Sequence, residues 1–189
     1  MWWLEPGARV RQGARLALTL AMAGLVAGCF QPLYGQMSPT GQPALGEALR
    51  GVEVLPIQAA SGTPEARLGV EVRNQLIFDI TGGAGVPGNP THRLLVQLTT
   101  TRNQLIVDIQ TARPDLENYG INAVYTLIET TSGKAVITGQ TFARVSFDIP
   151  GQEQRFARAR GLRDAENRAS KVIADNIKSR LASYFVAGT

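Results

Sequence analysis

One cysteine, one histidine and a run of arginines carry most of the chemistry open to this 189-residue chain. Cys29 follows an apolar stretch, and His92 stands between Thr91 and Arg93. Arg155, Arg158, Arg160, Arg163 and Arg168 crowd into the segment QRFARARGLRDAENR. A single Cys and a single His exclude a disulfide framework, a Cys/His zinc centre and an iron–sulfur cluster. A catalytic histidine needs a nucleophile and an orienting carboxylate within hydrogen-bond reach, and none adjoins His92 in sequence. It reads as a solvated residue at a strand end. The acids are scattered and form no evident pair for glycosidase-type chemistry. Gly83-Ala84-Gly85-Val86-Pro87-Gly88 matches G-x-G-x-x-G letter for letter. A dinucleotide loop, however, must leave a strand and open a helix, so that helix N–H groups face pyrophosphate. This one leaves a helix, contains Pro87 and enters a strand, so it reads as a loop. No catalytic residue, cofactor or metal is expected.

The arginines admit two readings. Arg160–Asp164 and Asp164–Arg168 are spaced i,i+4, as on a solvated helix face. Guanidinium forks also match phosphate oxygens, which would make the cluster a phosphate-binding patch. Nucleic acid is not expected as a partner: 19 Lys+Arg against 15 Asp+Glu leave only +4, and aromatics do not interleave with the basic residues.

Arg9, Arg11 and Arg15 lead into Leu16–Ala27, an uncharged run of 12 residues. A basic start, an apolar run of roughly 7–15 residues and small residues at its end describe a secretory signal. As a helix the run would be about 18 Å long, too short for a hydrocarbon core of about 30 Å. It ends Leu25-Val26-Ala27-Gly28-Cys29, which resembles the lipobox of bacterial lipoproteins, with Val26 where Leu is commonest. The resemblance makes Cys29 the lipid-attachment residue, carrying palmitate-type acyl chains. The alternative for a lone cysteine is a free thiol. Residue 30 is Phe and not the Asp that commonly retains such lipoproteins at the inner membrane, which implies the periplasmic face of the outer membrane. Residues 1–28 are thus expected to be a signal peptide. Its loss leaves 16 Lys+Arg against 14 Asp+Glu. No later stretch approaches 18 consecutive apolar residues.

Residues 29–50 are rich in Pro and Gly and read as a lipidated tether, and residues 51–187 as one α+β domain. Gly51–Ile57 is a short edge strand stopped near Pro56. Thr63-Pro64-Glu65 is a helix start, with a capping hydroxyl, a proline at the first helical position and an acid near the positive dipole end. The helix is expected over Pro64–Asp79. Leu94, Val96 and Leu98 alternate with Leu95, Gln97 and Thr99, and a second β-rich run covers Leu105–Ile109. Asn118–Thr130 and Ala135–Asp148 are joined by a tight turn at Thr131-Ser132-Gly133-Lys134. A 3–4 spacing from Leu162 to Tyr184 marks a last helix over about Gln152–Val186, with Gly188 as its cap.

The order β-α-β-β-β-α predicts a four-stranded mixed sheet with two helices packed on one face. The core is expected to include Leu76, Val96, Tyr125, Val145, Val172 and Ile177. The other face would carry Gln97, Thr99, Asn122, Thr126, Gln140 and Arg144, interrupted by Leu95, Val124, Ile128 and Phe142. Such a face meets either water or a partner.

Several short motifs carry a family resemblance. Cys29-Phe30-Gln31-Pro32-Leu33-Tyr34-Gly35 resembles the start of mature LptE proteins, the lipopolysaccharide-assembly lipoproteins, though many of these have Gly after the Cys. Val72-Arg73-Asn74-Gln75-Leu76 is similar to a run in that family's first helix. Arg163–Ala169 and Arg180–Phe185 resemble its last helix. The resemblance implies a non-enzymatic protein seated in the lumen of the β-barrel LptD and acting in lipopolysaccharide insertion, with lipopolysaccharide a possible direct ligand. The alternatives are an accessory lipoprotein of another envelope lipid-transport complex and a lipid-anchored periplasmic hydrolase. In an up-down-up meander, any phosphate contacts would fall at one sheet end, on Arg113, Arg155 and Arg158. The opposite end holds only Arg93 and Lys134.

Overall fold

Alternation along the sequence becomes a division between two faces of a sheet. In the computed structural model, which describes residues 45–108, 113–148 and 155–188, four strands lie in the order in which they occur. They are β1 (Val52–Val54), β2 (His92–Asp108), β3 (Arg113–Glu129) and β4 (Ala135–Asp148). β1 runs parallel to β2, and the other pairs are antiparallel. Val96 stands opposite Tyr125, and Tyr125 opposite Gly139. Leu94, Val96, Ile121, Ala123, Tyr125 and Leu127 are buried, while Leu95, Gln97, Thr99, Asn122 and Val124 between them are exposed. The register is the one the apolar pattern predicts.

Two strands are longer than their sequence signals. Residues Leu94–Thr99 and the run beginning at Leu105 belong to one strand, which passes through register shifts between Gln104 and Ile106 and between Ile106 and Val107. The polar stretch Thr99–Gln104 interrupts the hydrophobic signal without ending the ladder. β3 likewise begins at Arg113, before the expected Asn118. At Gly139 a Cβ would stand 2.6 Å from the Tyr125 hydroxyl oxygen, so the missing side chain is what lets the Tyr125 ring lie across β4. The β3–β4 turn closes with Gly133 at φ 67°, a conformation that suits glycine.

Three helices cover the buried face: α1 (Leu45–Arg50), α2 (Pro64–Thr81) and α3 (Arg155–Ala187). α2 begins as its sequence dictates. The Thr63 hydroxyl accepts from the Ala66 N–H at 3.3 Å, and Pro64 occupies the first turn. It runs two residues past the expected end, to a left-handed Gly82 whose N–H donates to the Phe78 carbonyl at 2.8 Å. At the end of α3, the Gly188 N–H donates to Tyr184 O at 2.7 Å, as a C-cap. The expected residues 152–154 of that helix lie outside the described residues.

α1 corrects the expectation of a tether reaching residue 50. Proline and glycine dominate the composition around it, but Leu45 and Leu49 are one helical turn apart and both buried against the other helices. Tertiary burial stabilises a six-residue helix that local propensity would not hold.

Along α3 the inward stripe is Ala165, Ala169, Ile173, Ala174, Ile177 and Leu181. Its small residues let the helix lie close to the sheet. Of the expected core, Leu76, Val96, Tyr125 and Ile177 are buried and Val145 is half-buried against them. Val172 is 41% exposed, a correction. At about 100° per residue the stripe passes through Ile173 and Ala174 and leaves Val172 at its margin. Truncating Ile177 to Ala should therefore cost about 2–5 kcal/mol in urea unfolding. Val172→Ala should stay within about 0.5 kcal/mol of wild type, because it removes little buried surface.

Candidate functional site

Polar chemistry gathers at one end of the sheet, where β2 ends, β3 begins and α3 starts. Arg113 opens β3 opposite Asp108, and Arg155 opens α3. The side chains of Arg113 and Arg155 lie outside the described residues. Arg158 is committed to the protein: its guanidinium donates at 3.3 Å to the carboxylate of Glu117, which is 5% exposed. Asp164 pairs with Arg168 at 2.7 Å, and no ion pair joins it to Arg160. Arg93 pairs with Glu53 at the opposite end, near the turn that holds Lys134.

Sequence reasoning missed a second group. Arg67 on α2 and Arg102 on β2 both approach Glu166 of α3. Arg67 bonds it directly, and an Arg102 nitrogen stands 3.9 Å from it. With Thr63, Leu162 and Arg163 they line a cleft of about 530 Å³. Neighbouring Thr100 donates to the Glu65 carboxylate at 2.5 Å, which holds that carboxyl below its ordinary value. Arg102 also lies over the Tyr119 ring, 5.7 Å from its centre. The only early signal was that Arg102 shares the even-numbered, core-facing parity of Leu94, Val96 and Leu98. A cation at such a position calls for a partner.

The face of the sheet that none of the described helices covers is the second feature. Leu95, Val124 and Phe142 are 39%, 48% and 63% exposed. The register sets Leu95 beside Thr126, Val124 beside Gln97 and Gln140, and Phe142 beside Asn122. The three apolar side chains therefore step diagonally across β2, β3 and β4, amid Thr, Gln and Asn. Arg144 lies over the Phe142 ring at 5.4 Å, a cation–π contact.

His92 departs from the expectation of a solvated residue. It meets Phe185 edge-on at 5.1 Å and Tyr184 at 6.4 Å, joining the end of α3 to the start of β2. Its Nδ1 lies 3.0 Å from the Thr91 hydroxyl. Among the described residues no group of three or more His, Cys, Asp or Glu could hold a metal ion, and no helix is long and apolar enough to cross a membrane.

The fold is similar to those of small lipoproteins solved from several bacteria. A lipoprotein from Caulobacter crescentus superposes with a TM-score of 0.57 at 19% identity, over 76% of this chain and 96% of that one. Lipoprotein B from Nitrosomonas europaea gives 0.53 at 12% identity, over 80% and 94%. Rare lipoprotein B from Shewanella oneidensis gives 0.51 at 14% identity, over 71% and 96%. These likenesses concern the fold alone. No curated protein matches the sequence significantly. The LptE family model, described as lipopolysaccharide-assembly, matches residues 49–181. The chain belongs to the LptE family, a non-catalytic lipoprotein family.

Burial against the aromatic rings pushes the His92 imidazole below its ordinary value, with Glu129 opposing the shift in part. The unfolded chain therefore takes up this proton first on acidification. The contribution of His92 to stability is complete above about pH 6.5 and is lost as pH falls through the folded-state value. Between pH 7.5 and pH 5, the melting temperature of His92→Phe should fall less than that of wild type. An equal fall in both proteins would exclude this role.

Proposed function

We propose that this protein is an outer-membrane lipoprotein, anchored through lipidated Cys29 at the periplasmic face. In this reading it acts with an LptD-like β-barrel in the assembly and insertion of lipopolysaccharide. Membership of the LptE family supports the process. The observation that carries the partnership is the uncovered sheet face. Both large helices lie on one side of the sheet, leaving a polar surface crossed by the Leu95–Val124–Phe142 diagonal. A wet barrel lumen suits such a surface: Gln97, Asn122 and Gln140 can keep hydrogen bonds to wall or water, while the apolar diagonal excludes water locally.

The anchor reading rests on residues 1–29. A single acyl chain binds membranes only marginally, so stable attachment needs more than one. In this reading Arg113, Arg155 and Arg158 are the contacts offered to lipopolysaccharide phosphates. Arg158 would then have to share its guanidinium between Glu117 and the ligand, so Arg113 and Arg155 are the residues to reverse.

Purification of the full protein in mild detergent should bring down one barrel-sized outer-membrane protein. Val124→Asp with Phe142→Asp should lower that recovery at least tenfold while leaving the melting temperature unchanged, because both positions are exposed. Retention of the barrel by the double variant would remove the open face from the interface. Cys29→Ser should leave uncleaved or soluble protein in cells lacking the barrel. Outer-membrane recovery and mass equal to wild type would defeat the anchor assignment. Arg113→Glu with Arg155→Glu should weaken lipopolysaccharide binding in a salt-sensitive manner, and Arg93→Glu with Lys134→Glu should do so less. A larger effect from the second pair would reverse the assignment.

A further inference from the structure

We propose that the cleft formed by the first turn of α2, the far part of β2 and the first half of α3 is an oxyanion site built for a phosphate group. Its lining does not include Arg113, the first residue of β3, or Arg155, the first residue of α3. Three guanidiniums from three elements reach it: Arg67, Arg102 and Arg163. Among its lining residues Glu166 is the one carboxylate, and it is 4% exposed. One negative charge against three positive charges leaves the lining with an excess of two, which Glu65 reduces from outside the lining through its attraction to Arg102.

Glu166 fixes the arginines in place without exhausting them. A guanidinium carries five N–H donors, and the approach to Glu166 uses few of them. Arg67 and Arg102 each remain 44% exposed, so the rest of each fork is available to a ligand. Arg163 makes no hydrogen bond or ion pair among the described residues. An ion-pair clamp between α2, β2 and α3 would need Arg67 and Arg102 and would give Arg163 no task. A phosphate group, with several acceptor oxygens, can engage all three.

Two further observations agree. The opening turn of α2 forms a wall of the cleft and adds the positive end of the helix dipole. Its first-turn acid, Glu65, would repel an anion, yet it lies outside the lining and accepts from Thr100. Beside the cleft, the fully buried Tyr119 ring lies under the Arg102 guanidinium and backs it from the protein side. At about 530 Å³ the cleft is within the usual range for small-molecule sites, about 300–1,000 Å³. A phosphate there could belong to an amphiphile's headgroup or to a soluble phosphate ester.

The inference does not depend on the barrel partnership, and its test uses the lipidated protein alone in zwitterionic detergent. Inorganic pyrophosphate is titrated by calorimetry. Mixed micelles containing phosphatidic acid are then compared with micelles of phosphatidylcholine. Wild type should bind pyrophosphate saturably, and Arg163→Gln should weaken binding at least tenfold. Arg102→Lys, which keeps the charge and loses the fork, should weaken it as well and serves if Arg163→Gln does not fold. Arg93→Gln, at the other end of the sheet, should stay within twofold of wild type. Pyrophosphate that competes with the phosphatidic acid micelles assigns the site to a lipid headgroup. Saturable binding without competition assigns it to a soluble phosphate. Absence of binding to either probe, or equal loss in Arg93→Gln, would overturn the proposal and leave the arginines as a clamp around Glu166.

Discussion

Register is the constraint on which the rest depends. β2, β3 and β4 pair along nearly their whole lengths, and among the described residues helices cover one side only. A slip of one residue would turn Leu94, Val96, Ile121 and Leu127 to the open side and bring Gln97, Asn122 and Thr126 under the helices. Each buried large apolar side chain contributes roughly 1.5–3 kcal/mol, so a slipped sheet would lose more than a domain of this size can spare. Gly139 adds a steric lock, because Tyr125 fits across β4 only where a Cβ is missing. The same register composes the open face: the residues that must not be buried are the ones left for water or a partner.

Ionic contacts take over where apolar packing runs out. Toward the far end of the sheet the core-facing positions change from Leu and Val to Thr100, Arg102 and Gln104 on β2 and to Glu117 on β3. Two buried carboxylates there, Glu117 and Glu166, are each met by arginine from another element. Pairs of this kind add less to stability than their Coulomb attraction suggests, because both partners leave water. What they fix is geometry: they set the first half of α3 against α2 and the long strands, and they aim guanidiniums at the adjoining cleft.

Local signals made most of the architecture legible. Thr63-Pro64 announces a helix start within three residues, Ser132-Gly133 a hairpin, and strict alternation a strand with one wet face. Non-local contacts were not legible. α1 forms because Leu45 and Leu49 meet helices remote in sequence, and nothing inside its glycine-containing segment reports that burial. The cleft joins Arg67, Arg102 and Glu166, which no spacing rule connects, since Arg67 and Glu166 are 99 positions apart. The arginine run of α3 was visible as a cluster but not as its three fates. Arg158 serves Glu117, Arg168 serves Asp164, and Arg163 faces the cleft. His92 reads as solvated in sequence for a related reason: its ring contact Phe185 is 93 positions away, on α3.

A sheet covered on one side, in a family of lipopolysaccharide-assembly lipoproteins, directs attention to what meets its other side. Photocrosslinking in cells from Gln97 and Gln140 on the open face, with Lys171 on the outer surface of α3 as comparison, tests this most directly. Gln97 and Gln140 should give adducts to a single barrel-sized outer-membrane protein, and Lys171 far fewer. Adducts from Lys171 with none from Gln97 or Gln140 would contradict that expectation.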